Sequence, residues 1–362
     1  MARETTYNFA AGPSALPTEV LETAAAELVD YRGSGMSVME MSHRSSDYLA
    51  IFNETKADFK RLLNVPDTHE ILFLQGGASL QFSMVPLNLM GEGGSADYAV
   101  TGNFAKIAAK EAEKYGTVNI AANTYPDNTR IPQQSELKLN PDARYFYYCA
   151  NNTIYGTEWH YVPETGSVPL VSDMSSDILT QPLDVGKFGI IFAGAQKNLA
   201  PAGVTVVIID KSLAGKEMPC TPLMLSYQRM IEKDSMYNTP PAYNIYMLGL
   251  VLKWVDKQGG VEAMSRSRVE KSGLIYDVLD NSKLFRGCAE KAHRSYMNVT
   301  FTTGDPDKDA AFVKAATAAG FKNVKGHRSV GGMRASVYNA QPMTAVKALA
   351  EFMKDYEVKN RV

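Results

Sequence analysis

Cysteine is scarce: three in 362 residues. Cys149, Cys220 and Cys288 are odd in number, widely spaced and outside any CxxC pair, which argues against a disulfide framework and a structural zinc site. Charge of one sign is also lacking. A net charge of -2 gives no field to gather nucleic acid or coat an anionic membrane, so any anion binding must come from a local basic cluster. Long apolar runs are missing too. The stretch 204–209 is far too short to span a bilayer, and MARETTYNFAAGP at the N-terminus has no apolar core or small-residue cleavage site of the kind a signal peptide needs. These absences lead to the expectation of a reduced, cytoplasmic protein with no nucleic-acid, membrane or metal partner. Internal repeats and low-complexity segments are missing as well.

What is present is an ordinary globular composition, 45% hydrophobic and 21% charged. The chain is too long for one ordinary core, which points to two domains or a large α/β domain with a smaller companion. A helix is expected from Pro17, with Val20, Leu21, Ala24, Ala25 and Leu28 on one face and glycines 33–35 ending it. A second helix runs through Tyr48, Phe52, Phe59, Leu62 and Leu63. From Ile71 short apolar runs alternate with helical segments. Strands are expected over 71–74, 98–100, 118–120, 145–149, 168–171, 189–192 and 204–209, and several are apolar at consecutive positions, as in a sheet covered on both faces. The pattern predicts an α/β fold with a mainly parallel, helix-covered sheet. Helices over 242–257 and 261–279 lead out of it. Beyond them, strand (297–302), helix (310–319), strand (333–338) and helix (343–356) read as a compact α+β unit of about a hundred residues. The expected division is 17–259 for the large domain, and 1–16 with 260–362 for the small one.

Ligands of open α/β sheets sit beyond the carboxyl ends of the strands. Those ends are followed here by Gln75-Gly76-Gly77-Ala78-Ser79, Gly102-Asn103-Phe104, Asn151-Asn152-Thr153, Ser172-Asp173 and Ala193-Gly194-Ala195-Gln196-Lys197-Asn198. One sheet edge would thus collect a glycine-rich helix start, an aromatic ring, a hydroxyl, a carboxylate and a lysine. A lysine after an apolar strand is usually a solvated strand end, and an aspartate there is more often a cap. In this order on successive strands they match what pyridoxal phosphate requires. The lysine forms an imine with the aldehyde, the carboxylate keeps the ring nitrogen protonated, and helix-start N–H groups hold the phosphate.

Ser42-His43-Arg44, the run AGAQKN through Lys197, NTPP at 238–241 and GHRSVGGMRAS at 326–336 closely resemble the phosphoserine aminotransferases, class-V enzymes of fold type I, and the resemblance covers essentially the whole chain. It implies that Lys197 carries the cofactor and Asp173 pairs with the pyridinium nitrogen. Thr153 would bond the ring hydroxyl side and Phe104 would stack on the ring. Ala78, Ser79 and Gln196 would hold the phosphate, with Asn238 and Thr239 from the second subunit of a homodimer. Some relatives have tryptophan where this chain has Phe104, arginine where it has Ser79, and serine where it has Ala11.

Three of the five histidines precede arginine: His43-Arg44, His293-Arg294 and His327-Arg328. An arginine fork beside an imidazole can clamp a phosphate. Surface His-Arg pairs are common, and His293-Arg294 reads as one. For the others the resemblance implies a substrate-phosphate site of His43, Arg44, His327 and Arg328, with Arg334 on the α-carboxylate. The implied substrates are L-glutamate, phosphoserine and 3-phosphohydroxypyruvate, and 4-phosphohydroxythreonine is a further candidate. Glutamate's distal carboxylate would use the phosphate pocket. The rival readings are a related aminotransferase for unphosphorylated substrates such as serine and glyoxylate, a cysteine desulfurase, and a binding module that kept the fold without the chemistry.

Overall fold

The computed structural model describes residue 3 and residues 5–360. The chain opens with strand β1 (Tyr7–Asn8), helix α1 (Thr18–Ala26) and helix α2 (Ser46–Leu62). Next come β2 (His69–Leu74), α3 (Gly77–Leu89), β3 (Ser95–Val100), α4 (Asn103–Ala112), β4 (Thr117–Asn123) and β5 (Phe146–Cys149). A hairpin of β6 (Asn151–Asn152) and β7 (Thr157–Glu158) precedes β8 (Leu170–Asp173), β9 (Ile190–Gly194) and β10 (Thr205–Asp210). Helices α5 (Tyr227–Glu232), α6 (Ala242–Lys257) and α7 (Gly260–Asn281) follow. The remainder is β11 (Arg286–Gly287), β12 (Asn298–Thr302), α8 (Pro306–Ala318), β13 (Phe321–Lys322), β14 (Met333–Ser336) and α9 (Met343–Lys359).

The large sheet has the order β2-β10-β9-β8-β5-β3-β4. Neighbours run parallel except where β10 pairs with β2 and β9. Both faces are buried except along the edge strand β4, as the unbroken apolar runs of the inner strands require. Ile71 and Phe73 enter one core cluster with α2 and α6, while Leu72 and Leu74 enter a second with α3, α4 and α5. Each such side chain, fully buried, contributes about 1.5–3 kcal/mol. A third cluster joins α7, α8 and α9 to the antiparallel sheet β11-β12-β14, and Phe9 of the N-terminal arm belongs to it. The arm also pairs in parallel with β13, Tyr7 opposite Phe321. Helix α7 spans both regions: Val261 and Met264 pack in the first cluster, Ile275, Val278 and Leu279 in the third. No helix among the described residues is long and apolar enough to cross a membrane.

Several boundaries differ from expectation by a few residues, among them β8, which runs on to include Asp173, and two differ for clear local reasons. Helix α1 stops at Ala26, and Leu28 is 39% exposed. The chain closes a turn instead, with the Tyr31 N–H donating to Met36 O at 2.9 Å and the Gly35 N–H to Asp30 Oδ1 at 2.8 Å. Helix α8 starts at Pro306 rather than 310, because Asp305 accepts from the Asp307 and Lys308 N–H groups and Pro306 sits in the first turn, a strong start signal. The hairpin β6–β7 and helix α5 were not expected at all; the hairpin is polar yet buried.

Candidate active site

Strand β2 ends in a turn that only glycine fits: Gly76 has φ +89°, and a Cβ there would lie 2.4 Å from Leu80 Cδ2. Helix α3 therefore begins at the carboxyl edge of the sheet, with half-buried Ala78 and exposed Ser79 in its first turn. Such a helix start presents free N–H groups to an anion. Phe104 occupies the corresponding first turn of α4, after β3.

Asp173 is the last residue of β8, paired in register with Phe192 of β9. Its Oδ1 accepts from the Ser175 N–H (2.9 Å) and Ser175 Oγ (2.6 Å), and Ser175 Oγ accepts from the Gly194 N–H (3.0 Å). Oδ2 has no hydrogen bond among the described residues. Burial raises the Asp173 carboxyl, opposed by the Ser175 hydrogen bonds and the Lys197 charge. Lys197 stands three residues beyond β9. Its Nζ donates to Thr153 Oγ1 at 2.7 Å and lies 5.6 Å from the Phe104 ring centroid. Burial lowers its ammonium, with Asp173 pulling the other way. That leaves an amine freer to act as nucleophile than a solvated lysine.

Thr153 serves two partners. Its hydroxyl oxygen accepts a hydrogen bond from Lys197 Nζ, and its carbonyl accepts from Arg334 Nη1 at 3.0 Å. Arg334, on β14, is lowered by burial, and its Nε is buried without a partner. His327 lies close enough to Arg334 and Arg328 for both charges, after burial, to lower its imidazole; its Nδ1 meets Ser329 Oγ at 2.7 Å. Arg328 is exposed.

The structure thus gathers Lys197, Asp173, Thr153, Phe104 and Arg334, with His327 and Arg328 beside Arg334. Within the single chain it does not bring in His43 and Arg44, which precede α2, or the side chains of Asn238 and Thr239. No hydrogen bond or ion pair links these four to Lys197, Asp173 or Arg334 among the described residues. Among the described residues Thr239 reaches the sheet edge only through its carbonyl, which accepts from Gln75 Nε2 at 3.1 Å. Half-buried Gln196 flanks Lys197.

Sequence reasoning missed the arm. The Ser14 hydroxyl donates to the Lys197 carbonyl, and the Ser14 N–H donates to Gln196 O at 3.0 Å. Gly12, at φ +134°, lets the backbone come so close that a Cβ would sit 3.1 Å from Lys197 Cγ. The Gly12-Pro13 pair was the available signal. Ser175 was missed too, although its two-residue offset from Asp173 is a common turn spacing.

The His293-Arg294 pair is structural: Arg294 bonds Asp280 at 2.7 and 3.0 Å and lies over the Tyr276 ring. Cys149 is buried with its thiol pushed up by burial, the reverse of an activated nucleophile, which counts against a desulfurase.

The family profile described as aminotransferase class-V matches residues 6–349. The chain is 51% identical to the phosphoserine aminotransferase of Lysinibacillus sphaericus, over 98% of this chain and 99% of that one. It is similar to the solved phosphoserine aminotransferase from Bacillus circulans subsp. alkalophilus, with a TM-score of 0.96, 46% identity and coverage of 98% and 99%. The pyridoxal phosphate-bound enzyme from Trichomonas vaginalis superposes with a TM-score of 0.93 at 42% identity, covering 96% and 99%.

Proposed function

The chain belongs to the aminotransferase class-V family and depends on pyridoxal phosphate, and we propose that it transfers an amino group reversibly between L-glutamate and 3-phosphohydroxypyruvate, giving O-phospho-L-serine and 2-oxoglutarate. The observation that carries this reading is the Lys197 amine, lowered by burial and held by Thr153, beside a buried Asp173 on the neighbouring strand. The residues fit the cofactor: Asp173 Oδ2 is unpaired, and Lys197 Nζ is held by one neutral hydroxyl. When bound, the cofactor supplies an aldehyde carbon to take the amino group and a ring to draw electrons from the substrate Cα.

Asp173 keeps the ring nitrogen protonated, and Ser175 holds that carboxylate in place. Phe104 covers a ring face and Thr153 bonds the ring hydroxyl side. Ala78, Ser79 and Gln196 hold the cofactor phosphate, completed by Asn238 and Thr239 of a second copy. With the cofactor bound, the Lys197 amine would move the proton between the substrate Cα and the cofactor as base and then acid. Arg334 grips the α-carboxylate, its unpaired Nε supplying a further donor. His43, Arg44, His327 and Arg328 hold the distal anion, phosphate or the glutamate side chain. The working unit is a cytoplasmic homodimer, each chain divided into 17–259 and 1–16 with 260–362. The arm's pairing with β13 supports that division.

The test is a half-reaction of the purified holoenzyme with phosphoserine, glutamate, serine and alanine, followed by cofactor absorbance. Phosphoserine and glutamate are expected to react well and the other two poorly. An equal response to serine favours the rival for unphosphorylated substrates. Shared sites predict that mixing an inactive Lys197→Ala chain with an inactive Asn238→Ala/Thr239→Ala chain restores part of the activity; no rescue despite proven subunit exchange rejects sharing.

A further inference from the structure

One buried lysine has no part in that chemistry. Lys271 on α7 is 1% exposed, and its Nζ donates to three backbone carbonyls: Tyr338 at 2.7 Å, Asn339 at 3.2 Å and Gln341 at 3.4 Å. No carboxylate pairs with it among the described residues. A buried cation is costly without partners. Burial pushes this ammonium down to about 7, and three carbonyl dipoles aimed at its three N–H donors oppose that by favouring the charged form.

The segment it grips links the two halves of the active site. It leads directly out of β14, which carries Arg334. The Tyr338 hydroxyl donates to Ala11 O at 2.8 Å in the arm that crosses Lys197, and accepts from Asn298 Nδ2 at 3.1 Å. The Asn339 N–H donates to Asn198 Oδ1 at 3.0 Å, on the residue after Lys197, and the Asn339 side chain donates to Leu179 O at 2.9 Å. Residues 338–341 thus touch the arm, the lysine loop and the strand of the carboxylate anchor, and Lys271 ties them to a helix packed in both hydrophobic regions.

We infer that Lys271 is a positioning residue of the transamination site: by holding the carbonyls of residues 338–341 to α7, it sets the distance between Arg334 and the Lys197 loop. The inference rests on the reading of Arg334 as the α-carboxylate grip. Loss of the ammonium frees three buried carbonyls, which must then move toward other donors or water. The exit of β14 moves with them, and misplacement of about 1 Å at a binding group is enough to weaken productive binding severely. Because every amino-acid substrate carries the α-carboxylate, the loss is common to all of them.

The test compares wild-type and Lys271→Met holoenzymes in the half-reaction, with phosphoserine, glutamate and alanine. KM is expected to rise by about tenfold or more for each, with kcat changed much less, the signature of lost ground-state grip. Hydrogen exchange at the Asn339 and Ser14 amides is expected to quicken in parallel. If the Met chain does not fold, Lys271→Arg and Lys271→Gln replace it, the cation keeping KM near wild type and the neutral amide raising it. A lowered unfolding midpoint with unchanged KM in the folded variant overturns the inference, as does a loss confined to phosphoserine. Failure of the phosphoserine reading is distinguishable, since it shows as wild-type substrate preference and not as a variant-to-wild-type ratio.

Discussion

The ends of β8 and β9 and the two His-Arg loops were read from equally short motifs, yet the fold treats them differently. Asp173, Thr153 and Ser175 are buried, and Lys197 is bonded to Thr153. Thr153, Lys197 and Ser175 each have a partner from another segment before any ligand arrives, and Ser175 in turn holds Asp173. His43 and His327 are only half-buried, Arg44 and Arg328 are exposed, and no hydrogen bond or ion pair joins the two loops among the described residues. Reactive groups must be held to within fractions of an ångström, so they sit on strand ends inside the sheet. Groups that grip a substrate anion must let it in and out, so they sit on loops. The single chain has the chemical half built and the gripping half open, which is the physical motive for proposing a second copy.

The comparison predicts that damage at the strand ends destroys reaction, while damage on the loops redistributes substrate preference. Lys197→Ala carries the largest effect. Transamination is expected to vanish, together with any borohydride-reducible cofactor adduct, while the circular dichroism spectrum stays native. A reducible adduct in the variant removes Lys197 from its role. Asp173→Asn comes next. Cofactor should still bind, but breaking a buried charge pair costs about 3–5 kcal/mol, so kcat/KM should fall by hundreds- to thousands-fold. Near-normal turnover reduces Asp173 to a structural cap.

The loops predict a smaller and selective effect. Removing one partner of a buried, hydrogen-bonded charge pair costs about 2–5 kcal/mol, and Arg328, exposed in the single chain, belongs at the lower end. Arg328→Ala is expected to weaken phosphoserine and glutamate while leaving alanine as poor as before. Arg334→Ala, partly buried and bonded to Thr153, should damage all three. Measured half-reaction kcat/KM values decide it: an unchanged preference for phosphoserine over alanine in Arg328→Ala rejects the phosphate pocket.

The legible parts of the chain share a cause. Runs such as 71–74 and 206–209 are apolar without interruption, and a doubly covered sheet is the structure that buries both faces. The lysine and aspartate were legible because strand ends converge on one edge whatever the side chains do. What stayed hidden depends on contacts between distant segments. The crossing of Ser14 over Lys197 joins positions 183 apart, and the Lys271 clamp joins positions about 70 apart. Neither leaves a periodic trace. The hairpin β6–β7 was hidden for another reason. Its polar residues look like a loop, but they are buried because Asn151 finds Ser176 at 2.8 Å and Asn298 at 2.7 Å, the latter across the junction with the small sheet.

The His293-Arg294 pair gives the smallest effect and a control for the other two. Arg294 resembles Arg44 and Arg328 in sequence, yet its fork is occupied by Asp280 and its plane by Tyr276. Arg294→Ala is therefore expected to leave kcat/KM for phosphoserine, glutamate and alanine unchanged. Stability should fall by about 1 kcal/mol, since the pair is bidentate but Asp280 is partly solvated. The sign of the pH dependence follows from Asp280. The hydrogen bond from Arg294, foremost, holds its carboxyl below the usual carboxylate range. A depressed carboxylate stabilises the folded state above its unfolded pKa of about 4, and that contribution disappears as the pH falls through the folded value. Denaturant midpoints of wild type and variant should thus differ at pH 7 and converge at acid pH. A variant that keeps its stability but loses phosphoserine turnover assigns Arg294 to substrate, and the division of the three pairs into two that grip and one that braces is then wrong.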